Sequence, residues 1–125
     1  MITALVAAGG GLGALCRYAF GGWVQRRSGS LRPWGTAGVN LTGTFVLGVF
    51  AGYLGSHGHL ATGISPITVG FLGGYTTFST WMVETVSLTR EGGSIGLRTG
   101  ILNIVLPTAA GLALAATGYA LGTLV

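Results

Sequence analysis

The sequence predicts an all-α integral membrane protein with four transmembrane helices, the third broken near its middle. Three observations predict it. Only 6% of the 125 residues are charged and 50% are hydrophobic, where a soluble domain carries about 25% charged residues. Glycine occurs 25 times without a collagen period, which fits helix backbones approaching closely in lipid. The string GFLGGYTTFSTWMVE at 70–84 lies inside an apolar span yet cannot be a plain helix. Gly73 and Gly74 are weak helix formers side by side. The hydroxyls of Thr76, Thr77, Ser79 and Thr80 compete for the backbone that a helix ladder needs.

A spanning helix needs about 20 apolar residues, and four segments qualify: 2–24, 34–54, 60–88 (broken near 73–77) and 97–124. They form a single transmembrane domain over 1–125. The connections 25–33, 55–59 and 89–96 are short, so neighbouring helices run antiparallel. In the first segment Gly9 and Gly13 make a GxxxG pair. Arg17 lies near its end, either snorkelling to the interface or facing a pore. The segment has no basic n-region and no cleavage site, and reads as a retained helix. The second carries Asn40, a buried amide that must find partners, and a small-residue face at Gly48 and Gly52. His57 and His59 sit in the connection after it with no Cys, Asp or Glu nearby, and read as solvated.

The break gives the third segment its chemistry. Unpaired backbone at membrane depth is tolerated only where protein buries it or where it lines a cavity. A broken helix there offers free carbonyls on one side and free N–H groups on the other. Phe78 and Trp81 follow directly and share a face. An aromatic ring has an electropositive edge, so a row of edges can stabilise a small anion without a fixed positive charge. Glu84, about a turn on, lies near the interface or faces protein. The fourth segment holds Asn103, Pro107 and Thr108. Pro107 removes one backbone donor.

Composition excludes other classes. The lone Cys16 allows no internal disulfide and no metal cluster. The net charge of +4 comes from six arginines and two glutamates without a basic block, which argues against nucleic acid as a partner. No paired carboxylate, activated nucleophile or phosphate loop points to an enzyme.

The strings GGGLGALCRY, GTAGVNLTGTFVLG and GFLGGYTTFST, in that order and spacing, resemble the signature segments of the Fluc (CrcB) fluoride channels. The resemblance implies a cell inner-membrane protein that lets cytoplasmic fluoride leak out passively. It implies an antiparallel, dual-topology dimer with two fluoride pathways along the subunit interface. It also implies a structural sodium ion (Na+) at the dimer centre, held by backbone carbonyls that here belong to Gly73 and Thr76. Asn40 matches the pore asparagine, Phe78 the first of two pore phenylalanines, and Arg17 the arginine at the pore mouth. Ser79, Thr80, Asn103 and Thr108 complete the expected fluoride pathway. Two positions depart. Trp81 stands for the second phenylalanine, with a larger ring and an N–H donor that can serve an anion or block a narrow path. Pro107 stands where the resemblance implies another polar residue, and Thr108 is one position off that face.

Arg26, Arg27, Arg32, Arg90 and Arg98 fall on one predicted side of the membrane, and the other side has no Lys or Arg. Such a bias sets one orientation, with both termini outside, whereas an antiparallel homodimer needs both. The dimer partner is therefore expected to be an oppositely inserted paralogue, the alternative being a second copy of this chain. Two other functions compete. A proton-coupled exporter of the small multidrug resistance type needs a carboxylate in the first helix, and there is none. A non-conducting structural partner of a channel subunit is compatible with Trp81 and Pro107.

Overall fold

The computed structural model describes residues 1–30, 32–57, 65–91 and 93–125. Among them the chain forms five helices: α1 (Ile2–Ser28), α2 (Trp34–His57), α3 (Ser65–Tyr75), α4 (Phe78–Glu91) and α5 (Gly93–Gly122). Only Thr76 and Thr77 separate α3 from α4. Among the described residues three helices, α1, α2 and α5, are long and apolar enough to cross a membrane.

Several helices outrun the bounds expected from hydropathy. α1 continues to Ser28 and is closed by Gly29, whose φ of 58° is the left-handed conformation that glycine supplies at a helix end. Arg26 and Arg27 in its last turn complement the helix dipole. α2 continues to His57, so this histidine is helical rather than in a loop. Its Nδ1 lies 3.2 Å from the Tyr53 carbonyl and its ring stacks on Tyr53 at 4.5 Å. His59 and the expected start of the third segment at 60 lie outside the described residues. α5 begins at Gly93, so most of the expected 89–96 connection is helix.

Glycine determines how these helices meet. Any Cβ added at Gly9 or Gly13 of α1 would fall on the α3 backbone at Ile67 or Phe71. Any Cβ at Gly70 or Gly74 of α3 would fall on the α1 backbone at Val6 or Gly10. The residue numbers rise together, so α1 and α3 run in the same direction. Gly48 and Gly52 of α2 meet Ala115 and Tyr119 of α5, and Gly118 and Gly122 meet Phe45 and Val49, again in parallel. α1 and α2 are antiparallel, with Gly35 pressed on the Gly21 carbonyl, and α4 and α5 are antiparallel, with Gly96 on Thr89. These directions bring Arg26, Arg27, Arg32, Arg90 and Arg98 to one end of the bundle.

The chain buries little apolar surface of its own. Among the described residues only Val39, at 1% exposure, and Leu72, at 5%, are buried hydrophobics. Its cohesion comes from backbone-close seams, and its apolar side chains face outward, as they do in lipid.

Candidate functional site

The interruption between α3 and α4 is held by one side chain. Asn40 Nδ2 donates to the Thr77 carbonyl at 2.9 Å, and the Thr77 N–H donates to Asn40 Oδ1 at 2.8 Å. The amide thus takes the Thr77 N–H out of the helical ladder and adds a second donor to the Thr77 carbonyl, which as the N-cap carbonyl also opens α4. In a continuous helix the Thr77 N–H would close onto the Gly73 carbonyl. Spent on Asn40, it leaves that carbonyl without its helical bond. Gly73 is exposed, and nothing stands within 4 Å of where its Cβ would be. Thr76 still follows α3, donating both its N–H and its hydroxyl to the Leu72 carbonyl at 3.0 and 2.9 Å. Its own carbonyl accepts a long bond from Arg17 Nη1 at 3.4 Å.

Thr77 also starts α4. Its Oγ1 accepts the Thr80 N–H at 3.3 Å, which makes it the N-cap. It further donates to Thr80 Oγ1 at 3.0 Å, and Ser79 Oγ lies 3.5 Å away. Gly43 of α2 lets this junction approach: a Cβ there would sit 2.5 Å from the Thr76 methyl and 3.2 Å from the Tyr75 ring.

Phe78 is 70% exposed. Its ring meets Trp81 edge-on, centroids 6.0 Å apart and planes at 89°. The Trp81 N–H is engaged within the protein. It donates to the Asn103 carbonyl at 2.8 Å. Asn103 lies four residues before Pro107, which has no N–H to offer it. The indole thus supplies the bond that proline removes. Asn103 itself donates from Nδ2 to Thr85 Oγ1 at 2.8 Å, and Thr85 donates to the Trp81 carbonyl at 2.8 Å. The two residues that depart from the expected pattern therefore sit in one α4–α5 network.

Two larger cavities flank the interruption. One, of about 540 Å³, is lined by Asn40, Gly73, Thr76, Phe78, Trp81 and Thr108. It brings together most of the sequence-proposed pathway with both carbonyl positions. The other, of about 650 Å³, is lined by Arg17, Thr36, Thr80 and Glu84. Thr77 lines both. Asn103 lies instead in a small groove of about 90 Å³ beside Pro107 and Arg32. Ser79 is exposed and lines none of these three. Thr108 spends its hydroxyl hydrogen on the Ile104 carbonyl at 2.6 Å, which leaves its oxygen as an acceptor.

Glu84 faces protein: Thr36 donates to its Oε1 at 2.7 Å, while its buried Oε2 has no partner among the described residues. Three participants escape sequence reasoning, namely Thr36, Thr85 and Gln25. Gln25 clamps the α1–α2 turn, donating to the Ser30 and Arg32 carbonyls at 2.7 and 2.9 Å and accepting the Gly35 N–H at 2.9 Å. Each is an ordinary polar residue whose partner lies in another element or across a turn, and no local pattern marks it.

Residues 4–119 match the family model described as CrcB-like protein, Camphor Resistance (CrcB). The chain is similar to the fluoride-specific ion channel FluC 1 of Symbiobacterium thermophilum, 37% identical over 124 residues and covering 98% of both chains. It is 42% identical over 97 residues to the fluoride-specific ion channel FluC of Rhizobium leguminosarum bv. trifolii, covering 76% of this chain and 78% of that one. To the protein of the same name from Acidobacterium capsulatum it is 43% identical over 88 residues, 70% of each chain.

Proposed function

This chain belongs to the CrcB-like family, and we propose that it is a subunit of a fluoride-selective channel through which cytoplasmic fluoride leaves passively. It is a multi-pass protein of the plasma membrane, and its work involves no covalent step. The observation that carries the reading is the 540 Å³ cavity, which gathers the Asn40 amide, Thr76 and the rings of Phe78 and Trp81 beside an interrupted helix. Fluoride entering it must shed water. Asn40 Nδ2 spends one hydrogen on Thr77 and keeps the other for the cavity. A hydrogen bond to a charged partner is worth about 1.5–3 kcal/mol. The Phe78 and Trp81 ring edges add electropositive lining without a fixed charge that would trap the ion.

In this reading α3 and α4 are the two halves of one membrane span, broken at Thr76–Thr77. The working unit is an antiparallel dimer whose interface closes the open side of the cavity. Among the described residues the chain buries only Val39 and Leu72 of its hydrophobic side chains and leaves Phe78 exposed, which supports such a second surface. The Gly73 carbonyl, freed of its helical bond, and the Thr76 carbonyl fit a hard cation, which prefers oxygen ligands. A sodium ion held by them would supply positive charge against the negative end of the α3 dipole.

The gathering of Arg26, Arg27, Arg32, Arg90 and Arg98 at one end favours an oppositely inserted paralogue as the partner over a second copy. Liposomes loaded with fluoride and read by a fluoride electrode test both levels. Efflux that needs the paralogue and is abolished by Phe78→Ala is the expected result. Efflux from this chain alone overturns the paralogue. Silence in both preparations overturns the channel.

A further inference from the structure

We infer that Trp81 and Pro107 are a coupled pair: the indole N–H masks the Asn103 carbonyl that Pro107 frees, and so keeps an acceptor oxygen from facing the fluoride path. The inference rests on the channel reading above and assigns Trp81 the role of a positioning residue within it.

The geometry carries the argument. Pro107 lies inside α5 and has no N–H, so the Asn103 carbonyl loses its intrahelical partner. Trp81 Nε1 reaches that oxygen at 2.8 Å from the neighbouring helix. Trp81 and Pro107 both line the 540 Å³ cavity, and Asn103 and Pro107 line the small groove next to it. The masked oxygen thus lies at the boundary of the space that receives the anion. Left bare, it would turn a partial negative charge towards fluoride where water is scarce, and the penalty is larger in such a medium than in water. The bond also fixes the indole. With its N–H pinned to α5, the ring stands perpendicular to Phe78 at 6.0 Å, and its other edges are left to line the cavity. A phenylalanine at 81 has no donor and cannot serve a helix that carries Pro107. Trp81→Phe, which looks like a return to the expected pore residue, is therefore harmful unless Pro107 is changed with it.

The experiment is a double-mutant cycle with W81F, P107A and W81F/P107A. Two readouts are taken: melting in detergent, and fluoride efflux per folded protein in whichever assembly conducts. W81F is expected to lower the melting temperature by roughly 4 °C and efflux by roughly tenfold. In the P107A background the restored N–H closes the helix onto Asn103, and W81F changes little in either readout. A W81F protein that folds only when combined with P107A supports the pair. Failure to fold in both backgrounds overturns it, because the indole then acts other than through this carbonyl. W81F conducting like the wild type, or equally impaired with and without P107A, also overturns it. A silent wild type would remove the channel reading and the path half of the inference, while the melting cycle still decides the cap.

Discussion

The α1–α3 seam and the α3–α4 junction lie side by side and are built on opposite principles. The seam is made by missing atoms: Gly9, Gly13, Gly70 and Gly74 let two backbones touch, and no side chain comes between them. The junction is made by exchanged hydrogen bonds. Asn40 takes both backbone groups of Thr77, and Trp81 takes the carbonyl that Pro107 vacates. The difference teaches where each region tolerates change. A seam fails when an atom is added, whereas a junction fails when a donor or acceptor is removed.

The largest effect is expected at the seam. Gly13→Ala would drive a Cβ into the Phe71 carbonyl and within 2.8 Å of the Tyr75 nitrogen. Backbone cannot swing aside as a long side chain can, so α1 and α3 must separate. The expected loss is about 3 kcal/mol or more, read as a fall in the detergent melting temperature. Gly11→Ala, on the opposite face of α1 with nothing within 4 Å, is the control and should hold or raise stability by up to about 1 kcal/mol. Equal damage from both would break the comparison.

At the junction, Asn40→Ala removes the partner of the Thr77 N–H and the second donor to the Thr77 carbonyl. The abandoned N–H costs about 1–3 kcal/mol, so melting and efflux should fall together. Asn40→Asp separates the two roles. It keeps an acceptor for the Thr77 N–H but loses the donor and brings negative charge to the cavity. Efflux is then expected to fall further than stability does, and the reverse order would count against Asn40 facing the anion.

A smaller effect belongs to the cap. Thr77→Val deletes the oxygen that accepts the Thr80 N–H, a loss of about 1 kcal/mol. Thr77→Ser restores it. Both substitutions leave the Asn40 bonds to the Thr77 backbone in place, so their melting difference isolates the cap.

The seams were legible in the sequence, and the junction was legible only by position. GxxxG spacing at Gly9–Gly13 and Gly48–Gly52 is a one-helix pattern, and those residues do make the contacts. Adjacent glycines and a run of hydroxyls act locally, and α3 ends at Tyr75 just after Gly73-Gly74. The partners at the junction were not legible. Asn40 and Thr77 are 37 residues apart, Thr36 and Glu84 are 48 apart, and nothing near either end of such a bond encodes the other. The Trp81 N–H illustrates the limit best. Proline's missing donor is visible at 107, yet which group replaces it is decided by how α4 and α5 pack. Helix ends also ran past their apolar limits, because hydrogen bonding and the Gly29 turn end a helix, whereas hydropathy only marks the part suited to lipid.

The smallest expected change on the chain itself tests the boundary between the two regions. Gly73 and Gly74 are neighbours with opposite surroundings: a Cβ at Gly74 would strike the Gly10 backbone, and one at Gly73 meets nothing within 4 Å. Gly74→Ala should therefore behave as a seam substitution. Gly73→Ala should leave the melting of the single chain within about 0.5 kcal/mol. Its effect appears only in assembly. If the Gly73 carbonyl faces a cation and a second subunit, the added methyl crowds that contact, and fluoride efflux falls while monomer melting stands. Unchanged efflux from Gly73→Ala would move the dimer centre away from this carbonyl and leave its lost helical bond as a feature of the junction alone.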